Sequence, residues 1–304
     1  MQRLKGAVFF QKSGLLFFSV FATLVFLELI LRFAGFGYKI LKPLPKDPKS
    51  GYRIFCVGES TTAGTGAIDP DLNGYPKQLE SLLSRSFPSK KFTCFFDRTI
   101  GWNSSEILLK FPLYIKKYNP DLVIIMVGVN NWWNMERSNI MLFGSSTFLS
   151  DMSLRFLIFL DHFRVWKLIK WIRFSLGAYR SRWGYWTPEA EKIDDAIKRD
   201  GTEKMMLFNK LAEHDLKEMA KICKANGIKA IFASYPMGAW GRLDLIQKNI
   251  ASEFKIPFVD NEAYFSTLDN VENYLWKDRW HPNKEGYSLV ARNFYDCIIK
   301  NGLI

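Results

Sequence analysis

The 304-residue chain is 48% hydrophobic with a formal net charge of +12, enough apolar material for one domain of typical size with a sizeable core. The charge is uneven: residues 1–50 hold eight Lys/Arg against two Asp/Glu and residues 135–183 hold eight against three, leaving the remainder nearly neutral. A nucleic-acid groove needs basic residues across the folded core, so nucleic acid is excluded as a partner, and the two basic stretches suit segments lying near anionic lipid headgroups.

From Gly14 to Ile30 the run "GLLFFSVFATLVFLELI" holds one charge, Glu28, bracketed by Arg3, Lys5 and Lys12 before it and Arg32 and Lys39 after it. A helix over residues 7–36, rising ~1.5 Å per residue, crosses a ~30 Å hydrocarbon layer. No small-x-small cleavage site follows convincingly, so the segment reads as an uncleaved signal anchor; a buried soluble helix is the plain alternative. Three Lys/Arg precede the span and five follow it through Lys49, which favours a cytoplasmic domain under the positive-inside rule. Against that, a large following domain translocates regardless of so small a bias, and a basic stretch ahead of an apolar run is the usual export signal. The expectation is a single-pass protein with an N-terminal anchor and the following domain extracytoplasmic. "LKPLPKDPKS" reads as an extended stalk, so residues 1–50 form anchor and stalk and residues 51–304 the folded domain.

Past the stalk, short apolar runs alternate with helical patterns. Strands buried on both faces are expected at 52–59, 91–100, 121–128, 228–235 and 256–260, and helices near 75–86, 104–117 and 202–225, with a last helix beginning after His281. This alternation implies an α/β fold with a parallel sheet covered on both sides, whose ligands bind at the carboxyl ends of the strands. The loops there are "GESTTAGTG" after the first strand, "IGWNSSE" after the second and "VGVNNWWN" after the third; the fifth strand leads on to "KDRWHPN". Between the third and fourth strands lies a helical insertion at about 135–200. Within it, residues 154–176 carry Leu157, Ile158, Val165, Leu168, Ile169, Ile172 and Leu176 on one helical face, with Arg155, Arg164, Lys167, Lys170 and Arg173 elsewhere. That pattern suits a helix in the membrane interface or a lid, with a core-packed helical subdomain as the alternative. Cys56, Cys94, Cys223 and Cys297 show no metal spacing and sit in apolar runs as buried, unpaired thiols.

Cleaving an ester by nucleophilic catalysis needs a hydroxyl, a base that takes its proton, a group that orients the base, and donors for the oxyanion. Ser60, at the end of the first strand, supplies a hydroxyl on a turn into a helix; His281 supplies the base and Asp278, on the same loop, its orienting carboxylate. The backbone N–H of Ser60, Gly101 with no side chain in the way, and the side-chain amide of Asn130 are the oxyanion donors. Each also has a bland reading: Ser60 as a cap, His281 as the start of a helix with Pro282 in its first turn, Gly101 as a turn glycine, Asn130 as a cap. His162 and His214 read as surface residues, and Trp132 and Trp133 as walls of an acyl or sugar pocket or as packing.

With "GEST", "TIGWNSSE", "GVNN" and "DRWH" in this order, residues 51–134 and 228–301 resemble the SGNH, or GDSL-type, hydrolase superfamily. The resemblance implies a flavodoxin-like three-layer α/β/α sandwich with a five-stranded parallel sheet. It also implies hydrolysis or transfer of an acyl group through an acyl-serine, with Ser60, Asp278 and His281 catalytic, Ser60, Gly101 and Asn130 forming the oxyanion hole, and no metal or organic cofactor. The substrate would be a lipid or an O-acylated glycan of the cell envelope, and the membrane partner would be met through residues 7–36 and 154–176. Two positions depart from the family pattern: Glu59 stands where Asp is usual, and Asn131 where a second Asp is usual. Two rival readings are a non-catalytic relative that binds a glycan or a partner, and a flavodoxin-like cofactor binder in which "STTAGTG" cradles phosphate. The latter lacks the lysine of a P-loop and has no use for an Asp-x-x-His loop.

Overall fold

The computed structural model describes residues 2–41, 51–131, 160, 163–166, 168–169, 203–239 and 242–304. The stalk from residue 42, Trp132, Trp133, His162 and most of the 154–176 pattern lie outside them. The chain divides into two compact units, one of Met1–Pro45 with Phe143–Trp183 and the other of Lys46–Leu142 with Gly184–Ile304.

The first unit is dominated by α1 (Gln2–Leu41). Its stretch Lys12–Ala34 has a mean hydropathy of 2.4 and no fully buried residue, and it is long and apolar enough to cross a membrane. The hydroxyls of Ser19 and Thr23 bond back to the carbonyls of Leu15 and Ser19, each 2.8 Å away, so neither is left bare among apolar neighbours. Glu28 accepts from Arg32 Nε at 2.8 Å and from the backbone N–H of Val165 at 2.9 Å, while Arg164 donates to the Leu31 carbonyl at 3.1 Å. The one charge inside the apolar run is thus the point where residues 164–165 dock on α1.

The second unit is an α/β sandwich. Its strands are β1 (Tyr52–Gly58), β2 (Phe92–Phe96), β3 (Leu122–Met126), β4 (Lys229–Ala233) and β5 (Phe258–Val259), all parallel, in the order β2-β1-β3-β4-β5. This is the flavodoxin-like order, whose reversal point lies beside β1. Between the strands come α2 (Pro70–Asn73), α3 (Tyr75–Ser86), α4 (Ser104–Tyr118), α5 (Glu203–Ala225) and α6 (Leu243–Phe254), and after the last strand α7 (Asn261–Ser266), a 3₁₀ turn at Val271–Tyr274 and α8 (Lys284–Lys300). Helix α3 packs on α8, and α5 packs on α4 and α6, giving the two outer layers.

Every residue of β3 is buried, as are Ile54 through Gly58 of β1. That is why these strands read as unbroken apolar runs, each large side chain contributing roughly 1.5–3 kcal/mol by leaving water. β5 is shorter than its five-residue apolar run, keeping two residues; Pro257 just before it offers a carbonyl to Phe232 but no N–H to the ladder. Cys56, Cys94 and Cys223 are buried free thiols and Cys297 is partly exposed.

Candidate active site

The first strand ends abruptly because nothing larger than glycine fits at position 58. A Cβ there would lie 2.1 Å from Thr62 Oγ1 and 2.5 Å from the Met126 carbonyl. The chain therefore turns at once, held by Ala63 N–H to Glu59 O at 2.9 Å and Thr65 N–H to Ser60 O at 3.0 Å. The sequence suggests a helix directly after Ser60; these are successive turns, and the next helix begins only at Pro70. The intervening residues Gly64 and Gly66 have φ of +80° and +92°, values that side chains rarely adopt.

His281 comes from a loop between the 3₁₀ turn and α8. Leu275 and Pro282 form an isolated antiparallel bridge, Trp276 N–H donates to the His281 carbonyl at 2.8 Å, and Asn283 N–H donates to Tyr274 O at 2.9 Å. The cap of α8 is Asn283, whose side chain accepts from Gly286 N–H. His281 and Pro282 therefore precede the helix and belong to the closed loop, which bears on the bland reading of His281 as a helix start. Within the loop Arg279 takes a left-handed conformation at φ +57°. Asp278 curls under it, with Oδ1 accepting from Trp280 N–H at 2.9 Å and His281 N–H at 3.0 Å.

The two loops meet through the side chains of Ser60 and His281. Ser60 Oγ lies 2.7 Å from His281 Nε2, and His281 Nδ1 lies 2.6 Å from Asp278 Oδ2. Burial alone would raise the Asp278 carboxyl. The His281 ring, the two backbone N–H groups and the ring's charge outweigh it and hold the group below the usual carboxylate range. With Nδ1 facing a carboxylate, the ring carries its proton there and presents a bare Nε2 to the serine hydroxyl. Gly66 sets how closely the loops approach, since a Cβ on it would sit 2.7 Å from Pro282 O and 2.9 Å from Trp276 Cβ. The small-residue run after Ser60 thus meets the His281 loop directly.

Because β2 and β3 flank β1, their loops lie on either side of the Ser60 turn. Gly101 has φ +75°. Asn130 is buried and its side-chain amide donates to Trp102 O at 2.9 Å, joining the third loop to the second. Behind it, Asn131 Oδ1 accepts from Ser104 N–H at 2.8 Å and Asn131 Nδ2 donates to Ser104 Oγ at 2.7 Å. Ser104 and Ser105 in turn donate to the buried Asp215 Oδ2 at 2.5 and 2.7 Å, and His214 Nδ1 lies 3.0 Å from Asp215 Oδ1. His214, read from sequence as a surface residue, keeps only 19% of its side chain exposed and pairs with this carboxylate.

Glu59 is fully buried beside Ser60, with Oε1 accepting from Gly128 N–H at 2.7 Å and Oε2 against the Tyr235 hydroxyl. Burial, only partly offset by these hydrogen bonds, pushes its carboxyl up to about 7. The sequence singles out Glu59 and Asn131 only as departures from the family pattern, and it does not point to Tyr235, Asp215 or Gly66. Among the described residues no group of three or more His, Cys, Asp or Glu is arranged to hold a metal ion.

No known family profile and no curated protein matches the chain. Solved structures do. The lipase Lip_vut3 from a goat-rumen metagenome shares 14% identity at a TM-score of 0.51, over 81% of this chain and 97% of that one. Axe2, an acetylxylan esterase from Geobacillus stearothermophilus, shares 19% at 0.48 over 82% and 94%. LAE5, an alpha/beta hydrolase from the metagenome of Lake Arreo, Spain, shares 16% at 0.48 over 82% and 95%. At such identities the likeness is one of fold.

Proposed function

We propose that this protein is a serine ester hydrolase of the SGNH type whose nucleophile is Ser60. The observation that carries the reading is the unbroken hydrogen-bonded chain Ser60–His281–Asp278, assembled from two loops 221 residues apart. His281 Nε2 takes the Ser60 proton as Oγ attacks the ester carbonyl, and Asp278 stabilises the imidazolium that forms. The oxyanion is met by the N–H groups of Ser60 and Gly101 and by the Asn130 amide. Collapse expels the alcohol, protonated by His281, and leaves an acyl-Ser60. Attack on that ester by water completes hydrolysis, whereas attack by a sugar hydroxyl completes transfer. The substrate class is an O-acyl ester, of a lipid or an acylated envelope glycan.

Residues 1–50 are the anchor and stalk in this reading, residues 51–304 the hydrolase domain with its insertion at about 135–200, and the domain faces away from the cytoplasm. The apolar length of Lys12–Ala34 supports the anchor; protection of the domain from added protease in intact cells would refute the assigned side. The test of the chemistry is labelling of the full chain, in detergent, by a fluorophosphonate probe. Wild type labels and Ser60→Ala does not; a folded wild-type protein that never labels is instead the non-catalytic relative.

A further inference from the structure

One carboxyl beside the nucleophile has a hydrogen-bond inventory that fixes where its proton is. The Tyr235 hydroxyl touches three groups: Glu59 Oε2, the Met126 carbonyl at 2.9 Å, and the backbone N–H of Val129 at 3.4 Å. A phenol has one proton to give and two lone pairs. The Met126 carbonyl accepts only, so an ionised Glu59, whose other donors are the N–H groups of Gly128 and of Glu59 itself, would compete with it for that single proton. A neutral Glu59 removes the conflict. Oε1 already accepts from Gly128 N–H, so the acid proton belongs on Oε2. From there it is donated to the Tyr235 oxygen, Tyr235 donates to Met126, and Val129 N–H fills the second lone pair.

We propose that Glu59 is a neutral carboxylic acid that positions the catalytic loops. Its proton, passed through Tyr235, ties the turn carrying Ser60 to the Met126–Asn130 segment carrying the oxyanion amide. Every contact lies at the carboxyl ends of three adjacent strands, β1, β3 and β4, so one proton fixes their relative height. The titratable groups around the carboxyl are Tyr235 from the end of β4 and, acting on Tyr235, Tyr75 from α3. Burial first of all pushes both phenols well above their usual range, so both are neutral. None of these groups is cationic, and the hydrogen bonds that reach the carboxyl offset the cost of a buried charge only in part. Glu59 itself is raised to about 7 by the same burial. The longer Glu suits the role better than the usual Asp, because it must span from β1 to a phenol on β4, past the strand between them.

The consequence for activity rests on the reading of Ser60 given above, but the protonation state does not, so the primary readout is spectroscopic. In infrared spectra of the full chain in detergent, wild type minus Glu59→Gln at about pH 6 should show the carbonyl band of a buried, protonated carboxyl, fading as pH rises through about 7. If Glu59→Gln fails to fold, the acid-minus-alkaline spectrum of wild type shows the same band. Tyr235→Phe, which removes its hydrogen-bond partner, must shift it. The carboxyl of Glu262, also raised by burial and by Asp244 and Asp260, does not touch Tyr235 and would stay put. Stability gives a second signature. The folded state keeps the proton to about 7 while the unfolded chain releases it near 4.5, so wild type loses more stability than Glu59→Gln as pH rises through that window. On the esterase reading, Glu59→Gln keeps wild-type activity within roughly threefold below pH 7, since its amide N–H2 replaces the acid proton. Absence of the band at about pH 6, or a folded Glu59→Gln that is inactive where Glu59→Asp is active, overturns the proposal, whatever the fluorophosphonate result.

Discussion

Asp278 is hydrogen-bonded to His281 and Glu59 is the chain neighbour of Ser60, and the two acids lie in opposite surroundings. Asp278 sits on a loop with about a quarter of its side chain in solvent, and its two oxygens receive three N–H bonds from Trp280 and His281. Glu59 has no exposed surface, receives N–H bonds from Gly128 and from its own backbone, and faces a hydroxyl whose proton is also wanted by a carbonyl. The first environment favours charge and the second penalises it. Burial, set against the donors that reach each carboxyl, separates the two acids, and separated acid strengths at one site mark separated roles. Their contributions to stability run oppositely with pH. That of Asp278 is present above its ordinary titration range and lost in acid as pH falls through its lowered value; that of Glu59 is lost as pH rises from 4.5 to about 7.

The same chemical change made at both positions should separate the two acids most widely. Asp278→Asn removes a charge that the loop uses and lets the ring adopt the wrong tautomer, so kcat for a p-nitrophenyl ester should fall about 10⁴-fold. Glu59→Gln should leave it within a small factor below neutrality. Equal losses at the two sites would erase the distinction drawn between them. Next in size, Asn130→Ala removes the amide proposed as an oxyanion donor and the tie to Trp102, for an expected loss in kcat of about 10²–10³-fold with KM little changed. A loss confined to KM would move Asn130 out of the oxyanion hole. Gly66→Ala tests whether the Asp278 loop is held by contact with the Ser60 loop. The added methyl would meet Pro282 O at 2.7 Å and His281 Cβ at 3.3 Å, and displacing the imidazole by a fraction of an ångström should cost about 10–100-fold in kcat. Unchanged kcat would show the two loops to be independent.

These residues were not equally legible in the sequence. The sheet was, because strands buried on both faces leave continuous apolar runs, and the polar residues directly after Gly58, Ile100 and Gly128 stood out against them. The Asp278–His281 pair was legible because its spacing is local, a loop of four residues closing on itself. Helix α6 was not anticipated; it starts after Arg242 in a left-handed conformation with no side-chain cap, so no capping residue announces it. Tyr235 and Asp215 were invisible for a different reason. Each meets its partner across more than 100 residues of chain, and the sheet topology, not any local pattern, brings them together.

The smallest expected effect applies the same proton count to the position where the resembled family carries Asp. Asn131 donates from Nδ2 to Ser104 Oγ, and Ser104 gives its own proton to Asp215, 2.5 Å away. An ionised carboxylate in place of the Asn131 amide would have no proton to give, and two carboxylates would compete for one serine hydroxyl in a buried site, the conflict that a neutral acid avoids at Glu59. The amide at 131 is therefore the complement of the carboxylate that α5 supplies at 215. Asn131→Asp should cost about 1–2 kcal/mol at neutral pH. The cost should shrink in acid as the new carboxyl takes up a proton, and Asp215→Asn should recover most of it, since one of the two competing carboxylates is then gone. Denaturation of the four proteins of this double-mutant cycle at two pH values measures all three terms. A coupling near zero would mean that Asp215 and residue 131 do not share the Ser104 proton, and that the amide there has some other cause.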